Sequence, residues 1–235
     1  MITRRVGDIE YQLLPGNQRR TTDIVIERDG RVVVRPPAQY EPEQVDAVVA
    51  SKRLWIYRNL AEWKDLNATA VAREWVNGET FLYLGAAYRL ALVSEQKQPL
   101  TLKDGRFRLR RDVVEKGGTD AAREAFEQFY IDKAQQRFKE RVAFFAPKVG
   151  VEVNKIKVKD MGYRWASCGR NGTVNFHWKC MMAPPRIVDY IAVHELCHFH
   201  QDNHTDAFWN EVDKVLTDWR ERKEWLRRHG AGLDI

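Results

Sequence analysis

The run His194-Glu195-Leu196-Cys197-His198 sets two histidines four residues apart with a glutamate directly after the first. On a helix turning about 100° per residue, both imidazoles lie on one face, one turn apart, and can reach a single ion. A catalytic zinc takes three protein ligands and keeps its fourth position for water. His204 is the expected third ligand. It follows His198 by six residues, off the face of a continuing helix, so the chain must turn first. Gln201-Asp202-Asn203 permits that turn, since Asn and Asp tolerate left-handed backbone. Glu221 and Glu224 are the alternatives, but they lie in the charge-alternating run Asp218 to Arg228, which reads as a solvated helix. The expected chemistry is hydrolysis with one zinc per chain: the metal lowers the pKa of its water, and Glu195 carries a proton from that water to the leaving group.

The helix carrying this motif is apolar nearly all round, with Ile187, Val188, Tyr190, Ile191, Ala192, Val193, Leu196, Cys197 and Phe199, so it is expected to be buried. Two histidines and a glutamate in a buried helix need partners, and a divalent cation satisfies all three together. Pro184 and Pro185 suit its first turn, where a missing N–H costs nothing. Thr205 reads as the N-cap of a following helix bearing Phe208, Trp209, Val212, Val215 and Leu216. His200 is two residues from His198, hence on another face, and is expected at the surface. Cys197 reads as a small core residue, and Cys168 and Cys180 lack the C-x-x-C spacing of a cysteine zinc site.

Around this centre the pattern is α+β. Ile9 to Leu14, Thr22 to Glu27 and Arg31 to Arg35 alternate as strands, the last two joined by a turn at Arg28-Asp29-Gly30. Glu41 to Trp63 has helical apolar spacing and is expected as one long helix. Glu79 to Val93 and Leu100 to Arg110 are strand-like, the second turning at Lys103-Asp104-Gly105. From Thr119 a helix is expected to run to about Phe145 and stop at Pro147. Ile156 to Lys159, Tyr163 to Ser167 and Thr173 to Trp178 complete the strands, the last two as a hairpin around Gly169-Arg170-Asn171-Gly172. No internal repeat is visible. The expected organisation is a β-rich N-terminal region with one long helix, residues 1–112, followed by a metal-dependent hydrolase domain, 113–235, with a soft boundary.

The 235 residues are 44% hydrophobic and 31% charged, enough for a sizeable core. No apolar window is long enough for a membrane span, the first residues lack a secretory h-region, and three cysteines are too few for a disulfide framework. A cytoplasmic protein with reduced thiols is expected. The charge of +6 is uneven: residues 133–170 hold ten Lys/Arg against Glu140, Glu152 and Asp160, a local excess of +7. Such a stretch predicts weak, salt-sensitive association with nucleic acid, or reads simply as a solvated face.

Beyond the HExxH run, the chain resembles the YgjP-like metallopeptidases, relatives of the WLM and SprT-type zincins, along nearly its whole length. The resemblance is carried by Arg31-Val-Val-Val-Arg-Pro-Pro, Lys52-Arg-Leu-Trp-Ile and Gly78-Glu-Thr-Phe-Leu-Tyr-Leu-Gly-Ala-Ala-Tyr-Arg-Leu. More specific are Arg164-Trp-Ala-Ser-Cys, Ala183-Pro-Pro-Arg-Ile-Val-Asp-Tyr-Ile-Ala-Val-His-Glu-Leu-Cys-His and Asn203-His-Thr-Asp-Ala-Phe-Trp. It implies a zincin-like C-terminal domain with His194, His198 and His204 as zinc ligands and Glu195 as general base. Ala166 stands where members of the family usually have Gly, a one-methyl departure. Arg164 and Ser167, near the hairpin, are candidates for contacting substrate.

Peptide-bond hydrolysis is the leading expectation, with a peptide or unfolded protein as substrate held by β-augmentation along Thr173 to Trp178. One rival is hydrolysis of an anionic small molecule such as a nucleotide phosphoanhydride, favoured by the +7 segment though unsupported by any phosphate-cradling glycine loop. The other is a nucleic-acid-associated module with a structural zinc, which needs a fourth protein ligand; none is obvious.

Overall fold

The structure is a computed structural model describing residues 2–18, 21–27, 30–67, 73–162, 164–169 and 171–235, with the side chains of 62–67 excepted. Among the described residues it is a mixed α+β protein with six α-helices and three sheets. Its contacts divide it into two compact units, Met1–Ala70 and Val71–Ile235.

In the first unit, β1 (Ile2–Val6), β2 (Ile9–Leu13), β3 (Asp23–Ile26) and β4 (Val32–Arg35) form a sheet of order β1-β2-β4-β3. Strand β1 was not visible in the sequence pattern, because its Thr3-Arg4-Arg5 centre is polar and largely exposed. Of the expected turn at Arg28-Asp29-Gly30, Arg28 and Asp29 lie outside the described residues. The single long helix expected over Glu41 to Trp63 is two, α1 (Pro42–Ser51) and α2 (Arg53–Asn67). Lys52 breaks them at φ −98° and ψ 8°, its amide bonding the carbonyls of both Val48 and Val49. Val45, Val49 and Ile56 pack with Tyr11 and Val34 in this unit's core. Asp46 accepts bonds from Arg4 and from the Tyr11 hydroxyl at 2.7 Å.

The second unit opens with β5 (Thr80–Tyr83), β6 (Ala86–Val93), β7 (Leu100–Lys103) and β8 (Arg106–Arg110), in the order β5-β6-β8-β7. Both four-stranded sheets have two antiparallel outer pairs joined through a central parallel pair, β2 with β4 and β6 with β8. The topology therefore repeats although the sequence shows no repeat. Strands β5 to β8 fall in the same compact unit as the C-terminal elements, whereas the sequence placed its soft boundary after them, at residue 112.

Helix α3 (Arg111–Val149) is the spine of this unit. It breaks at Gly118, φ 64°, just before the expected N-cap Thr119, and passes Pro147 to end against Gly150 in left-handed backbone at φ 79°. Its buried stripe Ala122, Phe126, Tyr130, Ala134, Phe138, Val142 and Phe145 follows helical spacing. Phe126 packs on Phe81 and Phe107 of the β5–β8 sheet, with ring centroids 4.2 and 5.0 Å apart. Phe138 stacks on Phe176 at 3.7 Å, mounting the third sheet. That sheet is β9 (Lys155–Lys159), β10 (Ala166–Cys168) and β11 (Thr173–His177) in the order β10-β11-β9. Tyr163 and Arg170, parts of an expected strand and turn, lie outside the described residues.

A 3-10 helix, Trp178–Met182, leads into α4 (Pro185–Cys197), followed by α5 (Asp206–Val215) and α6 (Trp219–His229). Arg141 of α3 grips Asp189 of α4 at 2.6 and 3.0 Å, a two-pronged bond that fixes the motif helix along the spine. The β5–β6 turn fixes its start. Leu84 and Gly85, at φ 49° and 79°, donate their N–H groups to the carbonyls of Met181 and Met182. A Cβ at Gly85 would come within 2.9 Å of Pro184, so the close approach requires glycine.

Candidate metal centre

Helix α4 is as buried as its composition demands: Ile187, Val188, Ile191, Ala192, Val193, Leu196 and Cys197 have almost no exposure. His194 and Glu195 lie near the end of the helix, and His198 is its C-cap, still in helical backbone at φ −65° and ψ −15°. The chain then turns at 199–203. Thr205 takes up the extended N-cap conformation without a side-chain capping bond, and α5 begins at Asp206.

That turn brings His204 back over α4. One ring nitrogen from each of His194, His198 and His204 lies within 4.8 Å of the other two, and no other His/Cys/Asp/Glu joins this group among the described residues. The ring centroids form a near-equilateral triangle with sides of 5.0, 4.8 and 4.9 Å. Phe208 of α5 lies 4.6 to 4.9 Å from all three rings and forms an apolar floor beneath them.

The donor set fits a divalent cation. Nε2 of His194 and Nε2 of His204 face each other at 2.9 Å, and a shared cation would satisfy both lone pairs at once. Nδ1 of His198 lies 3.0 Å from the Gln201 carbonyl, which can only accept, so Nδ1 carries the proton and Nε2 keeps its lone pair. Two of the rings, His194 and His204, are held toward the neutral form that ligation needs. Burial, with the charges of His204, His198 and Lys223, pushes His194 down to about 3. Burial, His198 and Lys223 also lower His204.

Glu195 is 6% exposed, and burial pushes its carboxyl up to about 8 against the opposing pull of the Arg164 charge and a bond from the Cys168 backbone N–H. That bond ties Glu195 to β10, against which α4 packs. Arg164 is exposed, while half-buried Ser167 accepts a 3.2 Å bond from Asn175 of β11. Strand β11, expected to receive a peptide, is the central strand, paired with β10 on one side and β9 on the other. The sheet edge beside α4 is β10.

The other polar candidates are engaged elsewhere. Glu224 is held by Arg227 and Arg228 at 2.8 and 2.6 Å, which lowers its carboxyl to about 2. Glu221 is exposed and outside the histidine group. The exposed His200 bonds the Val149 carbonyl at 2.9 Å, at the end of α3. Burial raises Cys168 to about 11 and Cys197 to about 12, so both are inert thiols. Sequence reasoning missed the surroundings of His204. Trp209 stacks on it at 5.6 Å and on Trp219 at 4.2 Å, and Lys223 lies over Trp209. The tryptophan spacing was visible, but only the α5–α6 turn makes those two side chains meet.

A family model described as YgjP-like, metallopeptidase domain matches residues 20–229. No curated protein matches the chain. Among solved structures it is similar to the metallopeptidase zymogen abylysin of Pyrococcus abyssi, at 19% identity and a TM-score of 0.36, over 38% of this chain and 90% of that one. It is similar also to the metallopeptidase zymogen jannalysin of Methanocaldococcus jannaschii, at 23% identity and a TM-score of 0.35, over 38% and 92%.

Proposed function

The chain belongs to the YgjP-like metallopeptidase family, and from that premise we propose that it is a single-zinc peptidase whose metal is held by His194, His198 and His204, with Glu195 as the proton carrier. The observation that carries this reading is the convergence of three imidazole nitrogens within 4.8 Å of one another, two of them on the helix that also bears the buried carboxylate of Glu195. A zinc ion held by these nitrogens supplies Lewis-acid polarisation of the scissile carbonyl and a lowered pKa for water.

The protein's own groups do the rest. The Gln201 carbonyl orients the His198 ring, and Phe208 shields the face of the triad from water. Glu195 accepts a proton from the attacking water and passes it to the leaving nitrogen. Its bond from the Cys168 N–H keeps it beside β10, whose outer edge carries no other strand among the described residues. An extended peptide adds to that edge, main chain to main chain. Arg164 contacts the bound peptide, and Ser167, whose oxygen is occupied by Asn175, retains its O–H to donate.

A weaker second reading concerns nucleic acid. Lys155, Lys157 and Lys159 project from one row of the edge strand β9, exposed and without ion-pair partners among the described residues. Such a row suits weak, salt-sensitive association with a phosphate backbone. Among the described residues, no helix is long and apolar enough to cross a membrane. The proposal places the chain in the cytoplasm, where Cys168, Cys180 and Cys197 stay reduced.

Incubating the zinc-loaded protein with unfolded proteins, peptides and nucleotides tests the reading. Peptide cleavage supports it, whereas nucleotide hydrolysis with intact peptides contradicts it.

A further inference from the structure

Lys223 differs from its neighbours on α6. Arg220 pairs with Asp213 at 3.4 Å, Arg222 with Asp218 at 2.8 Å, and Arg227 and Arg228 share Glu224. Lys223 pairs with no carboxylate among the described residues. Its Nζ lies instead over Trp209, 4.2 Å from the ring centroid, and 5.8 Å from that of Trp219.

This platform is rigidly built. Asp213 accepts a 3.0 Å bond from Nε1 of Trp219, which fixes the plane of that ring. Trp219 stacks on Trp209 at 4.2 Å and 11°, and Trp209 stacks on His204 at 5.6 Å and 23° while lying 5.9 Å from His194. An exposed lysine ordinarily sweeps a wide volume; this one is held over aromatic faces that abut two of the three histidines. Its charge is felt by both His194 and His204. A solvent-reachable ammonium with no carboxylate partner, fixed beside a centre that cleaves peptides, is placed to bind an anion on the substrate.

We propose that Lys223 is a specificity residue that receives a carboxylate of the bound peptide, either its C-terminus or an acidic side chain, and so biases the site toward anionic peptides. The inference rests on the peptidase reading above, but its test does not require turnover. The test is calorimetric titration of full-length, zinc-loaded Glu195→Gln protein with short acetylated peptides in matched forms. These carry a C-terminal carboxylate or amide, and Asp/Glu or Asn/Gln at each position.

We expect an anionic form to bind about three- to tenfold more tightly than its neutral partner, more so at low salt. The preference should vanish when Lys223→Met is added and persist with Lys223→Arg. Whichever matched pair shows the preference identifies the source of the carboxylate. Equal binding of all forms, no binding of any, or an anion preference that survives Lys223→Met would overturn the proposal. If anionic peptides bind through Lys223 while wild-type protein cleaves none of them, the subsite stands and the peptidase reading falls.

Discussion

The Gln201 carbonyl accepts a 3.0 Å hydrogen bond from Nδ1 of His198 and thereby sets the tautomer of that ring. Gln201 stands between His198 and His204 in sequence, so the turn that returns the third histidine also orients the second. The geometry of two of the three proposed ligands is thus built into one short segment. Metal analysis of purified protein should find about one zinc per chain, sharply reduced in His194→Ala, His198→Ala and His204→Ala. Glu221→Ala and Glu224→Ala should keep it, because Glu224 is committed to Arg227 and Arg228. Full zinc in His204→Ala would remove the third ligand proposed here.

Gly85 and Gly105 offer a controlled comparison of how α4 is held. They occupy matching turns, Leu84-Gly85 at φ 49° and 79° and Asp104-Gly105 at φ 53° and 71°. A Cβ meets nothing within 4 Å at Gly105 but comes within 2.9 Å of Pro184 at Gly85. Gly105→Ala should cost only backbone strain, on the order of 1 kcal/mol. Gly85→Ala should cost about 1–3 kcal/mol more, because the entry to α4 must shift. In a unit of this size each kcal/mol lowers Tm by roughly 2–4 °C. Equal losses in the two variants would show that the contact with Pro184 does not matter.

Much of the site was legible because its signals are local. The HExxH spacing, the flanking apolar residues and the turn-permitting Gln201-Asp202-Asn203 all lie within one short stretch, and the chain folds there as that stretch suggests. Long-range pairings were not legible. Strand β11 was the strand expected to receive a peptide, yet β9 pairs with it in parallel from earlier in the chain, so the edges fall to β9 and β10. Leu84 gave no turn signal, since leucine rarely adopts positive φ, and its docking on the 3-10 helix is a long-range contact. The break at Lys52 was hidden because apolar spacing continues across it.

In the metal-free protein His194 should contribute a loss of stability as pH falls from about 6.5 toward about 3, opposed down to about pH 4.5 by Glu195, whose raised carboxyl takes up a proton first in the folded state. Folded His194 is depressed to about 3, whereas an unfolded histidine titrates near 6.5, so in that window the unfolded chain binds the extra proton. The contribution is present above the unfolded value and lost below it. Melting curves between pH 7 and pH 4 should fall less steeply for His194→Gln than for wild type. Parallel curves would mean that His194 does not carry the effect.

Replacing Lys155, Lys157 and Lys159 together with Gln should weaken binding to single-stranded nucleic acid at low salt. The salt dependence should become shallower by up to about 2 in log–log slope, since each phosphate contact on a single strand contributes roughly 0.7. Fluorescence anisotropy across a salt series reads both quantities. An unchanged slope would place any binding elsewhere.

The central claim is that Glu195 moves a proton and does not merely fill a buried position. Glu195→Gln keeps the shape and removes the basicity, so turnover of a peptide substrate should fall by about 10² to 10⁴ while zinc content and melting temperature stay near wild type. The three measurements belong on one preparation, because a loss of activity that tracked a loss of zinc or of stability would point to a structural role. Turnover close to wild type in Glu195→Gln protein that holds its full zinc would contradict the mechanism outright.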